Sequence, residues 1–171
     1  MESKAKILGH AIHPIMIVFP LGLLSTGVIF DILFLITGTA ALANAGYWMM
    51  VSGIIGGVLA ALFGFIDWTA IPNGTRAKYV GLIHGGLNAG VLAIFAIVVF
   101  LRTGAADQEN LLATALGVFG FLLALAGGWF GGELVERLGV GVHPGAHLNA
   151  PNSLTEDMPE VNLSTKATRG V

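Results

Sequence analysis

Four apolar runs, each about as long as a bilayer is thick, constrain this chain more than any other feature. They lie at residues 15–37, 47–66, 79–101 and 111–130. A helix needs about 20 mostly apolar residues to cross the hydrocarbon core. Backbone groups in lipid must bond within their own segment, so such runs fold as helices. The fold class that follows is all-α membrane: a four-helix transmembrane bundle over residues 1–138. Residues 139–171 turn to Pro, Asn, Ser, Thr and Glu and read as a polar, disordered tail. With 55% hydrophobic and 11% charged residues, the composition rules out an ordinary soluble domain.

Residues 1–6 are basic, but the run behind them is too long for a signal peptide and carries Asp31, so it reads as an uncleaved first span. Four crossings put both termini and the second loop on one side. Lys4, Lys6, Arg76, Lys78 and Arg137 fall there, against Arg102 alone on the other. The positive-inside rule then places both termini in the cytoplasm. Pro14 suits a first helical turn, and Pro20 predicts a kink near the start of the first span. Residues 38–46 read as a small uncharged loop, and Pro72-Asn73-Gly74 marks a turn.

All five histidines, His10, His13, His84, His143 and His147, sit at or beyond span ends on that same side. Asp67 and Glu133 join them, Asn88 lies one helical turn below His84, and Arg76 and Lys78 lie in or beside the second loop. Polar groups are costly in hydrocarbon, so a set at one depth points to a site. Each half also shows one pattern: a histidine near a helix start, a span, a loop, a second span, then an acid. His13 and Asp67 fill it in the first half, His84 and Glu133 in the second. This suggests a two-fold pseudo-repeat of two-helix halves, with His13 and His84 facing one another.

Three chemistries fit the set. A b-type haem needs one histidine from each of two helices and no cysteine. His84 with His13 or His10 supplies the pair, Arg76 and Lys78 the propionate donors, and Asp67 and Glu133 the partners for the second ring nitrogens. A divalent metal ion is the second reading, drawing on His10, His13, Asp67, His84, Glu133 and His143; His10 and His13 share a face only where the lead is helical. The third is structural, with these side chains bonding to one another and to loop backbone; His147, in the tail, reads as solvated. The absence of cysteine excludes disulfides, iron–sulfur clusters and covalent haem attachment. A net charge of −2 with scattered Lys and Arg leaves no nucleic-acid footprint.

Two further features are ambiguous. The 25 glycines, several at four-residue spacing, serve either close helix packing or room for a flat cofactor. Asp31 sits inside the first span toward the far face with Arg102 as its expected partner; an acid inside a span points to a function by default, and the favoured alternative is an ion pair that fixes register.

The segments GHAIHPIMIVFPLGLLSTGVIFDIL, GFIDWTAIPNGTRAKYVGLIHGGLN and GGELVERLGVGV together resemble a bacterial four-span predicted integral-membrane domain family of unknown function. The resemblance covers roughly residues 8–142. It carries over His10, His13, Pro14, Pro20, Asp31, Asp67, Arg76, His84, Asn88 and Glu133, the last at a position that varies in the family and is sometimes histidine. It implies a bacterial inner membrane and supplies a fold without an activity. Some members are fused to Rieske-type or c-type cytochrome modules, which implies redox company and partners such as a quinone or another membrane electron carrier. This chain has no such module. The resulting expectation is a small redox component with one haem b on His13 and His84, against a divalent metal-ion binding or transport protein and a ligand-free structural or assembly protein.

Overall fold

The computed structural model describes residues 1–108 and 110–154. A two-stranded hairpin comes first, β1 (Lys6–Ile7) pairing with β2 (His10–Ala11). Helices α1 (Ile12–Met16), α2 (Val18–Thr37), α3 (Ala40–Ala70), α4 (Arg76–Leu101) and α5 (Leu111–Gly132) follow, and α5 runs into a π-helical turn, Glu133–Arg137. Four helical stretches are long and apolar enough to cross a membrane: Ile12–Thr37, Ala40–Ala70, Arg76–Leu101 and Leu111–Arg137. The all-α four-helix bundle read from hydropathy is the observed architecture.

The boundaries differ from the hydropathy reading where polar or small residues still favour helix. The loop expected at residues 38–46 shrinks to Gly38 and Thr39. Gly38 ends α2 in the left-handed conformation (φ 68°), its N–H bonded to the Phe34 carbonyl at 2.8 Å. The alanine-rich segment behind it is good helix material and joins α3. At 31 residues, α3 is about 46 Å long and extends beyond the hydrocarbon. The interruption expected at Pro20 falls at Ile17, between α1 and α2. Pro14 and Pro20 each stand third in their helix, where a missing N–H leaves no ladder bond unmade.

Helix α2 packs mainly on α3, α4 on α5, and the two pairs meet through α3 with α4 and α2 with α5. The core between them is Leu24, Val28, Met50, Val91, Phe95, Val98 and Ala113. Gly27 and Gly46 allow α2 and α3 to touch backbone to backbone: a Cβ on either would lie within about 3 Å of the other's carbonyl oxygen (3.1 and 3.0 Å). The close-packing role expected of the glycines is met here. Large apolar side chains such as Phe19, Ile36, Phe65, Phe100 and Leu122 face outward, as lipid requires.

At the far end of the bundle Arg102 gives two bonds to Asp31, at 2.8 and 2.9 Å, and one each to the carbonyls of Ala43 (2.7 Å) and Ala106 (2.9 Å). Both residues are 3% exposed. This is the partner expected for Asp31.

The near end is closed by the lead. Leu8 and Gly9 both have positive φ (49° and 82°), the two-residue turn that matches strand twist. Asp67, near the end of α3, accepts from Ser3 Oγ (2.7 Å to both oxygens), Lys4 N (2.8 Å) and Ala5 N (3.2 Å). Residues 139–154 form turns, and Gly141 and His143 bond back to Met1 and Glu2. The disorder expected of residues 155–171 lies outside the described residues.

Candidate functional site: a paired-imidazole centre

His13 sits at the second position of α1, and α1 lies against α3. Its Nδ1–H donates to the Ala60 carbonyl at 2.8 Å. His84 sits two turns into α4, which lies against α5, and its Nδ1–H donates to the Gly127 carbonyl at 2.9 Å. A carbonyl only accepts, so each Nδ1 carries a ring proton, and in the neutral form of each ring Nε2 is the nitrogen with the lone pair. Both bonds use a carbonyl in a neighbouring helix that the expected carboxylate partners do not provide.

The local reason is the same twice. A side chain four residues on leans back over a helical carbonyl and would block an outside donor. The residues four on from Ala60 and Gly127 are Gly64 and Gly131. A Cβ on Gly64 would lie 2.8 Å from His13 Cε1, and one on Gly131 would lie 3.1 Å from His84 Cε1. These glycines leave room for imidazoles. Asn88 donates to the His84 backbone carbonyl at 2.8 Å, the i−4 bond polar helix residues favour, and its Nδ2 stands at a long 3.4 Å from both ring nitrogens.

The two rings face each other across the halves, with centroids 6.2 Å apart and planes at 87°. Two metal–imidazole bonds of about 2 Å, with the distance from nitrogen to ring centre added at each end, span about 6 Å when collinear. The spacing therefore suits one metal centre between two imidazoles. Holding Nδ1 on a backbone carbonyl is also how proteins orient ligating histidines.

The other candidate residues are engaged elsewhere. His10 is in β2, exposed, with Nδ1 on the Leu8 carbonyl (3.1 Å). The lead is a hairpin there, so His10 and His13 do not share a helix face. Asp67 anchors the lead. Glu133 takes Arg76 at 2.5 Å, and Lys78 donates a hydrogen bond to the Trp68 carbonyl (2.8 Å) while its ammonium lies over the Trp68 ring. His143 uses both nitrogens: Nδ1 accepts from Gly145 N (2.9 Å) and Nε2 donates to Glu2 (2.8 Å). His147 is exposed, its Nδ1 accepting from Asn149 N at 3.3 Å. Among the described residues no three His, Asp or Glu side chains come together as a metal-holding group. The six-residue metal set read from the sequence is dispersed because the lead and the second loop consume its acids and outer histidines.

Ala60, Gly64, Gly127, Gly131 and Ser3 were not singled out by side-chain chemistry as parts of this end. Two contribute a carbonyl and two an absence, and neither leaves a chemical signature in a sequence. The available signal was spacing: Gly127 and Gly131 form one of the four-residue pairs.

Fold and site together define a four-span membrane protein with a pair of oriented imidazoles at one end. The chain belongs to a family described as predicted membrane proteins (DUF2231), whose model matches residues 9–144. No curated protein and no solved structure matches the chain.

Proposed function

We propose that this protein is a small membrane redox component holding one b-type haem between His13 and His84. The observation that carries the reading is the matched seating of the two rings. Each imidazole has its Nδ1–H on a carbonyl of the neighbouring helix, which leaves Nε2 as the ligating nitrogen of the neutral ring, and its partner ring is 6.2 Å away. His13 and His84 would hold the iron, and a bound haem supplies one-electron chemistry. Gly64 and Gly131 let the rings reach their carbonyls, and those carbonyls fix the tautomer and raise the basicity of Nε2. Arg76 is the propionate donor of this reading, in exchange with Glu133. The electron partners are a quinone or another membrane carrier. The protein sits in a bacterial inner membrane with both termini in the cytoplasm, the side its basic residues favour.

A bare divalent ion has less support. Zinc and similar ions take three or four protein ligands, and among the described residues two converge here.

Absorbance and metal analysis of purified protein, prepared with haem supplementation, test the reading. A Soret band is expected, lost in His13→Ala and in His84→Ala. A colourless protein overturns it. Divalent metal that binds the wild type and not His84→Ala would favour the ion, and neither signal would favour a ligand-free structural role.

A further inference from the structure

The second feature that invites a ligand lies away from the imidazoles, where α5 leaves the membrane. The π-helical turn Glu133–Arg137 opens a cleft of about 310 Å³ lined by Trp129, Gly132, Glu133, Glu136 and Arg137. The cleft holds charges of both signs. Glu133 is paired across to Arg76 of α4. Glu136 and Arg137 are exposed, and among the described residues no ion pair joins Arg137 to either glutamate. Neighbours in sequence on one helical turn diverge and do not face each other, so an acid and a base border one cleft without pairing.

Trp129 stands one turn before them, 65% exposed on the outside of the bundle. Indoles gather at the level of lipid headgroups. The cleft is therefore at the bilayer surface, open to lipid, with a cation and an anion set apart and an indole beside them. A molecule that fills such a space carries a phosphate for the guanidinium and an ammonium for the carboxylate, and it lies where the acyl chains of a phospholipid end. A primary ammonium donates hydrogen bonds to a carboxylate, which a quaternary one lacks. The indole face suits either cation.

We propose that this cleft is a binding site for an ethanolamine phospholipid, with phosphate on Arg137 and ammonium on Glu136 beside Trp129. The headgroup contacts, Glu136 and Arg137, are not used by the imidazole pair; the cleft shares only its wall residue Glu133 with the haem reading, through Arg76.

The test is thermal unfolding of the full chain in detergent, with phosphatidylethanolamine, phosphatidylcholine or phosphatidylglycerol added at equal mole fraction. The ethanolamine lipid is expected to raise the midpoint by several degrees, more than either other lipid. Replacing both residues, Glu136→Gln with Arg137→Gln, removes that difference; both are exposed, and circular dichroism checks that the variant keeps its helix content. Equal shifts from the choline or glycerol lipid overturn the proposal. So does an ethanolamine preference that survives the double substitution.

Discussion

At the far end of the bundle Arg102 gives four hydrogen bonds, two to Asp31 and two to backbone carbonyls, inside a site that is closed to solvent. At the near end His13 and His84 each give one ring N–H to a helix carbonyl, and the nearest donor to the second nitrogen of His84 is Asn88 Nδ2 at a long 3.4 Å. The contrast separates two uses of polarity in an apolar frame. A buried charge whose donors are matched locks the register of α2 against α3 and the loop after α4. An imidazole oriented by one nitrogen, 6.2 Å from a second one held in the same way, is the arrangement on which the haem proposal rests.

The largest break in this comparison comes from Asp31→Ala. It strands the Arg102 guanidinium in a dry site, and the expected loss is about 3–5 kcal/mol in a detergent unfolding titration. Asp31→Leu combined with Arg102→Met should recover most of it, since the pair together contributes little beyond matching. Full stability in Asp31→Ala alone would mean the far end is not closed as described.

A smaller effect sharpens the near end. Gly64→Ala drives a Cβ to 2.8 Å from His13 Cε1, whereas Gly131→Ala leaves 3.1 Å to His84 Cε1. Overpacking of this kind costs about 1–3 kcal/mol, with Gly64 the more sensitive position. Thermal unfolding of the two variants side by side should rank them so. The reverse order would place the imidazoles differently in the two halves.

The smallest effect belongs to the lead. The hydrogen bond from Lys6, with the charges of Lys6 and His143, holds the Glu2 carboxyl below its ordinary 4.5. A lowered value in the folded state means stabilisation that is present above the unfolded value and lost as pH falls through the folded one. Glu2→Gln should therefore be slightly less stable than wild type near neutrality, and the gap should close below pH 4.5. A gap that stays constant with pH would remove Glu2 from the closure of this end.

Much of this was legible from residue order. Lipid imposes a length and a polarity, so residues 79–101 needed no context to be read as a span, and α4 covers them. Asp31 inside a span demanded a cation at matching depth, and Arg102 was the one residue at the right distance. The pattern of two histidines in two halves also pointed at His13 and His84. The same reasoning did not anticipate where His10, Asp67, Glu133 and His143 are seated, away from the imidazole pair. It weighed side-chain chemistry and depth, and these four are decided by which backbone groups fold over them. Asp67 illustrates the limit: as a carboxylate near two histidines it suits a metal, and it is consumed by Ser3 and two amides some sixty residues earlier.

What the residue order determined by itself is the frame: four membrane-crossing helices, with polar groups confined to the ends. That follows because hydrocarbon accepts neither charge nor open backbone, a constraint each segment meets alone. What only the tertiary structure decided is the role of each polar group at those ends. Hydrogen-bond partners come from helices and turns far away in the chain, and a carbonyl exposed by a glycine is invisible until two helices meet.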